Sequence, residues 1–297
     1  MTIKRIKNKK INKIVIYAIF IFFCLFILYP IWCIVSVSLT GKEEITTLGF
    51  SLFPHHIDIS AYKFLYQDAG TILRSYWITI AVSFVGTIIG AVTTAMYAYV
   101  LSKRDYPIKK ILSFLLLFTM FFGGGMAAKY IVNVSFLGLK NTFWVLVLPQ
   151  AFSAINVIIL RAYYLQLPYS MVESAKIDGS GEYGILLKIM IPLSKPALAT
   201  VCLTLFITYW NAYYEAMMYM DTGRYVTIQL LLHRLMSNVD FLKSNSSSIL
   251  SQQEIKKLPG DSLRMAVCTV TIVPVLIVFP RFQKYFVKGM ALGAVKE

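Results

Sequence analysis

The sequence predicts an all-α integral membrane protein with six transmembrane helices. Three observations carry that expectation. Apolar residues make up 58% of the 297 residues and charged residues only 14%, with 20 Phe and 19 Tyr, a balance that excludes an ordinary soluble domain. Six apolar runs recur along the chain, at 14–38, 77–101, 111–128, 142–160, 197–220 and 265–280. Most approach the roughly 20 residues a helix needs to cross the hydrocarbon core. Finally, all 29 Lys and Arg residues fall outside these runs, and unevenly. The segment before residue 14 holds six of them and no acid, and the loop 102–110, the loop 161–195 and the tail from 281 hold four each. Cations collect on the cytoplasmic side of membrane proteins, so both termini and these two loops are predicted to be cytoplasmic. The loop between the last two runs also holds six cations. It is long and carries four acids, and only Arg224 and Arg264 lie near its ends.

The net charge of +15 therefore needs no nucleic-acid partner, because a basic cytoplasmic face meets anionic lipid. Cys24, Cys33, Cys202 and Cys268 all fall inside predicted spans. With no C-x-x-C and no metal-ligand spacing, they read as small packing residues.

Residues 1–13 are expected to form a mobile basic tail. The first run could be read as a secretory signal, but its apolar length exceeds the usual 7–15 residues of a signal core, so a retained helix is predicted. The loop 39–76 is predicted to be external. His55 and His56 are adjacent within it, poor geometry for holding one metal ion, and read as solvated loop residues. The second run contains Gly86 and Gly90, a G-x-x-x-G step followed by Ala91 and Ala95. Small residues let helix backbones approach closely in lipid, so this face is expected to meet another helix, of this chain or of a partner. The third run carries Gly123, Gly124 and Gly125 near its end, which permit a break. The sixth is short and contains Pro274, so it either extends outward or kinks.

The fifth run ends in TYWNAYYEAMMYM, where Glu215 is the only acid inside any predicted span. Ionisable groups at membrane depth usually face a polar pathway or a partner. Trp210, Tyr213, Tyr214 and Met217 recur at three- and four-residue steps as one stripe, with Asn211 and Glu215 beside it at i, i+4. Aromatic faces next to amide and carboxylate groups suit a sugar. The alternative is that the aromatics form an interfacial belt and Glu215 lies among the headgroups. The loop 221–263 is predicted to be external, with a polar, mobile centre.

The loop 161–195 is the most structured polar interruption. Ser170 and Glu173 have capping-box spacing, which predicts a helix from about Met171. Gly179 is placed to end it in the left-handed conformation. A second helix is expected over 182–190, running into Pro192 and Pro196. Read this way alone, it could be an ordinary loop with a capped helix.

Glu173, Ala175, Gly179, Ile189 and Pro192 also fit the pattern E-A-A, three residues, G, nine residues, I-x-L-P. That pattern resembles the cytoplasmic coupling loop of ABC importer permeases, with Ser174 in place of the second alanine and Ile191 in place of the leucine. The segments IDG (177–179), LSKPALAT (193–200) and YFVKGMALGAVK (285–296) are similar to the maltose-type, binding-protein-dependent carbohydrate permeases, especially the oligosaccharide permeases of Gram-positive bacteria. The similarity runs from about residue 76 to the end, while residues 1–75 match only in pattern.

The resemblance implies a type I importer permease fold, with a core over 76–297 and a coupling helix around Glu173, Ser174, Ala175, Asp178 and Gly179. It implies as partners a second homologous permease, two ATPase subunits and a lipid-anchored extracellular sugar-binding protein, in a bacterial cell membrane. It also implies that the loop 221–263 contacts the binding protein. No Walker A sequence occurs, so ATP and Mg²⁺ are expected on the ATPase and no cofactor on this chain. Peptide or amino-acid permeases share the coupling pattern, but the C-terminal segment favours carbohydrate. An intramembrane enzyme is disfavoured because all three His lie in loops and no span carries a paired Asp. A channel subunit is disfavoured by the coupling-loop spacing.

Overall fold

The computed structural model describes residues 2–221, 223–244 and 260–294. Among them the regular structure is helical, save one isolated antiparallel bridge between Thr40 and Ile57. Three helices are long and apolar enough to cross a membrane, over Val15–Ser38, Ala69–Ser102 and Gly260–Ile277. Three helix pairs pass the same test only as bent pairs: Lys109–Phe121 with Gly125–Phe136 (116°), Phe143–Gln150 with Ala154–Tyr164 (50°), and Glu182–Leu193 with Lys195–Trp210 (86°), the last joining the second helix of the 161–195 loop to the start of the fifth apolar run.

Each break has a local cause. The first falls at Gly123 and Gly124, where the glycines permit it, and Gly125 has φ +74. The second follows Pro149 through a short 3₁₀ turn, Leu148–Gln150, interrupting a run expected to be continuous. The third falls at Ser194, just before Pro196. The sixth run extends in both directions, as one helix over Gly260–Ala294 with Pro274 and Pro280 inside it. Residues 295–297, the end of the tail similarity, and 245–259, the polar centre of the 221–263 loop, lie outside the described residues.

The chain divides into two compact units, residues 1–69 with 234–273, and residues 70–233 with 274–297. In the first unit, α1 (Thr2–Ser38) takes the basic tail and the first apolar run into one continuous helix. None of residues 15–35 is buried, whereas Ser36, Val37 and Ser38 are. The segment that follows folds back on the end of this helix. Trp32 Nε1 donates to the Leu52 carbonyl at 2.9 Å, and Ser36 Oγ to the Ser51 carbonyl at 3.0 Å. Two short helices, α2 (Lys42–Leu48) and α3 (Ser60–Gln67), order this loop. Glu44 accepts the backbone N–H of His55 at 2.9 Å and of His56 at 3.3 Å, so the two histidines are anchored through their backbone rather than merely solvated. The His55 N–H bond leads the interactions that hold the Glu44 carboxyl below its usual range. Among the described residues, no group of three or more His, Cys, Asp or Glu could hold a metal ion.

The second unit contains α4 (Ala69–Ser102), α5 (Lys109–Phe121), α6 (Gly125–Ile131), α7 (Phe143–Val147), α8 (Ala154–Tyr164), α9 (Tyr169–Ile177), α10 (Glu182–Ile185), α11 (Ile191–Leu193), α12 (Lys195–Trp210) and α13 (Tyr213–Tyr219). It has two apolar clusters. One joins Ala95, Ala98 and Leu101 of α4 to Leu160 of α8, Ala175 of α9 and Val201 and Leu205 of α12. The other joins Val82 of α4 to Val145, Leu146 and Val147 of α7 and Tyr209 of α12.

The glycine step of α4 packs inside this chain. A Cβ on Gly86 would lie under 3.0 Å from three atoms of the Tyr209 ring, and one on Gly90 would lie 2.9 Å from Leu205 Cδ1 and 3.0 Å from the Ala151 carbonyl. Tyr209 cannot easily retreat, because it is 1% exposed and its hydroxyl donates to the Val147 carbonyl at 2.7 Å.

Candidate functional site

Helix α9 carries the coupling pattern. It begins at Tyr169 behind Pro168, and no side-chain bond caps it. The expected capping box does not form. Pro168 opens the helix itself, its carbonyl accepting the Met171 N–H at 3.2 Å, so Ser170 already lies within the first turn. The far end behaves as predicted. Gly179 has φ +77, its N–H reaches the Lys176 carbonyl at 3.1 Å, and the Ser180 N–H reaches the Ala175 carbonyl at 2.9 Å. These are the two closing bonds of a Schellman end, which requires a left-handed residue at that position.

The second helix of the loop is less regular than expected. After α10 the chain makes a π turn, Leu186–Met190, and continues through Pro192 to Leu193. The Ile191 N–H bonds the Leu186 carbonyl, five residues back. Spacing in the sequence cannot show such a one-residue shift in hydrogen bonding.

The coupling residues divide by burial. Ala175 is buried in the apolar cluster, which anchors the helix. Glu173, Ser174, Asp178 and Gly179 are exposed. Two apolar neighbours that pattern reasoning missed are also exposed: Met171, and Ile177 at 85%. An isoleucine so exposed between polar residues is the kind of position that can belong to a contact surface. Glu182 opens α10, and its carboxylate accepts from Tyr99 and Lys103. Lys103, followed by Tyr99, holds the Glu182 carboxyl below its usual range. This contribution is present above the ordinary Glu value and fades as pH falls through the lowered one.

The aromatic stripe of the fifth run is not one helical face. Helix α12 stops at Trp210, and α13 starts at Tyr213 after a break at Asn211 and Ala212. Counting i, i+4 from Asn211 to Glu215 therefore crosses an irregular step. Trp210 is buried and stacks on Phe206, with ring centroids 5.8 Å apart. Asn211 and Tyr213 are exposed, and Tyr214 and Glu215 are half-buried. The Tyr214 hydroxyl contacts the Met126 sulfur of α6.

The structure adds a second wall that the sequence did not reveal. Part of the 221–263 loop is a helix, α14 (Ile228–Ser244). The Gln229 side chain donates to Asn211 Oδ1 at 3.4 Å, and the His233 ring stacks on Tyr213 at 5.5 Å with 15° between planes. Gln229 and His233 share one helical face by their i, i+4 spacing. Lys140 pairs with Asp221 at 2.6 Å and Asn141 Oδ1 accepts the Asp221 N–H at 2.8 Å, fixing the chain beyond α13 to the 138–141 turn.

Helices of this length and apolarity mark an integral membrane protein. Residues 110–292 match the family described as binding-protein-dependent transport system inner membrane component. The chain belongs to this family, the permeases of bacterial ABC importers, in which a separate subunit hydrolyses ATP. It is 36% identical over 290 residues to the polygalacturonan/rhamnogalacturonan transport system permease protein YtcP of Bacillus subtilis (strain 168), covering 98% of this chain and 99% of that one. It is 26% identical to the arabinooligosaccharides transport system permease protein AraQ of the same organism, covering 96% of each. A solved bacterial ABC transporter involved in the import of the acidic polysaccharide alginate contains a chain with 30% identity and a TM-score of 0.77, covering 93% of this chain and 97% of that one.

Proposed function

We propose that this chain is the permease subunit of an ABC importer that moves an oligosaccharide into a bacterial cell. The observation that carries the reading is the cluster of Asn211, Tyr213, Gln229 and His233, where an amide pair and a stacked ring pair come together. Rings stack on the C–H faces of a sugar while amides and carboxylates bond its hydroxyls. The sugar-named relatives support the same substrate class. Acidic oligosaccharides are the first to test, since two of those names concern uronate-bearing polysaccharides.

In this reading the three long helices, the first two bent pairs and the Lys195–Trp210 helix make six spans, with both termini and the 161–195 loop cytoplasmic. The core is 76–297, following the tail, first span and external loop of 1–75. An ATPase dimer, holding ATP and Mg²⁺, docks on Met171, Glu173, Ser174, Ile177, Asp178 and Gly179. Its closure moves α9 and rocks the spans between inward and outward states. A second permease completes the path, and a lipid-anchored binding protein delivers sugar to the 221–263 side.

Tyr214→Ala and Glu215→Gln are expected to slow uptake partially, since one stack or hydrogen bond is worth roughly 1–3 kcal/mol. They should also reorder the preference among related oligosaccharides. Uptake competition in cells, normalised to the amount of membrane-inserted chain, checks this. If Glu215 only anchors the helix at the headgroups, protein yield falls and the ranking stays as in the wild type.

A further inference from the structure

The cytoplasmic end of α4 is tied to the coupling loop by a directional contact distinct from the apolar packing around it. The Tyr99 hydroxyl donates to Glu182 Oε2 at 2.5 Å, and Lys103 Nζ lies 2.8 Å from the same oxygen. Lys176 of α9 lies 3.9 Å from Glu182 Oε1. The Lys103 ammonium also sits 4.9 Å above the Tyr99 ring, and its carbonyl accepts from Lys109 Nζ at 2.6 Å. Next to it, the Arg104 guanidinium lies 4.4 Å from the centroid of the Tyr169 ring, at the start of α9. Tyr99, Lys103, Arg104, Tyr169, Lys176 and Glu182 line a cavity of about 390 Å³ between the end of α4 and the two helices of the loop.

Apolar contacts such as those of Ala175 and Met190 are non-directional and survive small sliding motions. A carboxylate held by a phenol and an ammonium is not indifferent in that way, because charge-assisted bonds weaken steeply with distance and angle. We propose that Glu182 is a positioning residue that locks the coupling loop to α4 through Tyr99 and Lys103, so that displacement of α9 and α10 is passed to the second span. The span can carry the displacement onward. Gly86 lies 13 residues from Tyr99, roughly 20 Å along a helix, and packs directly against Tyr209 of α12. Helix α12 ends at the break that presents Asn211. This inference rests on reading α9 as the coupling helix.

The test is a double-mutant cycle on the complete transporter in proteoliposomes, with ATP hydrolysed per sugar transported as the readout. Glu182→Ala and Lys103→Ala should each raise that ratio roughly threefold to tenfold, the worth of a charge-assisted bond discounted for the half-exposed carboxylate. The double variant should be no worse than the more affected single, because both remove one contact. Glu182→Asp should remain near the wild type. A wild-type ratio in both singles overturns the proposal. So does a double whose effect is the product of the singles, or a loss of assembled complex with the ratio unchanged. Gly179→Val on the same preparation separates the two levels. If it impairs coupling while the Glu182 variants do not, only the Glu182 lock fails; if it has no effect, the coupling-helix reading fails.

Discussion

Gly86→Val is expected to abolish transport by preventing the membrane core from closing. The glycine lies directly beneath the Tyr209 ring, and any Cβ there collides with three ring atoms. The ring is buried, and its hydroxyl is bonded to the Val147 carbonyl. Moving it would strand that hydroxyl and reopen the cluster that joins α4, α7 and α12. Overpacking costs about 1–3 kcal/mol, and an unpaired buried hydroxyl adds about 1–3 more. Much of a marginal protein's stability is then lost. The expected observations are a sharp fall in folded chain recovered from membranes and a lowered unfolding temperature in detergent. Gly86→Ala combined with Tyr209→Val should recover folded protein relative to Gly86→Ala alone, because removing the ring makes room for the methyl group. Normal recovery of Gly86→Val would show that this contact does not set the packing.

Gly179→Val is expected to leave the folded chain in place while cutting sugar uptake by roughly tenfold. No atom lies within 4 Å of where its Cβ would sit, so the substitution removes no packing and creates no clash with neighbours. What changes is the backbone. Holding φ at +77 costs an ordinary residue about 1–2 kcal/mol, more for a β-branched one, and about 1.4 kcal/mol corresponds to tenfold. The helix would relieve this strain by losing the bonds from Gly179 and Ser180, which reshapes the exposed end of α9. Asparagine tolerates this conformation best, so the order of retained uptake should be Gly, then Asn, then Ala, then Val. Uptake at matched membrane levels checks the series. Equal uptake in all four would remove the end of α9 from the coupling mechanism.

The apolar runs were legible in the sequence because the bilayer imposes a composition over about 20 residues, and the long helices over Val15–Ser38, Ala69–Ser102 and Gly260–Ile277 fall on three of them. Gly179 was legible because a helix end that needs a left-handed residue has few chemical solutions. The breaks were partly legible. Three successive glycines marked one, but nothing in the apolar pattern marked the irregular step at Asn211 and Ala212, because composition continues across it unchanged. The stripe through Trp210 and Tyr213 failed for that reason. Ser170 and Glu173 matched a capping box by spacing alone, while Pro168, two residues earlier, already opened the helix. The partner of the Gly86–Gly90 face could not be chosen from sequence, since small residues specify close approach and not which helix approaches. Gln229 and His233 were hidden because a moderately apolar helix in a polar loop gives little signal before the fold brings it beside Tyr213.

The central claim is that this chain moves an oligosaccharide when an ATPase drives α9. Its most direct test is sugar uptake into proteoliposomes containing this chain, its partner permease, the ATPase subunits and the binding protein, with ATP supplied on the ATPase side. The account predicts oligosaccharide accumulation that requires ATP and the sugar-loaded binding protein and falls with Gly179→Val. Accumulation without ATP or the binding protein, or accumulation of peptides in place of sugars, would contradict it.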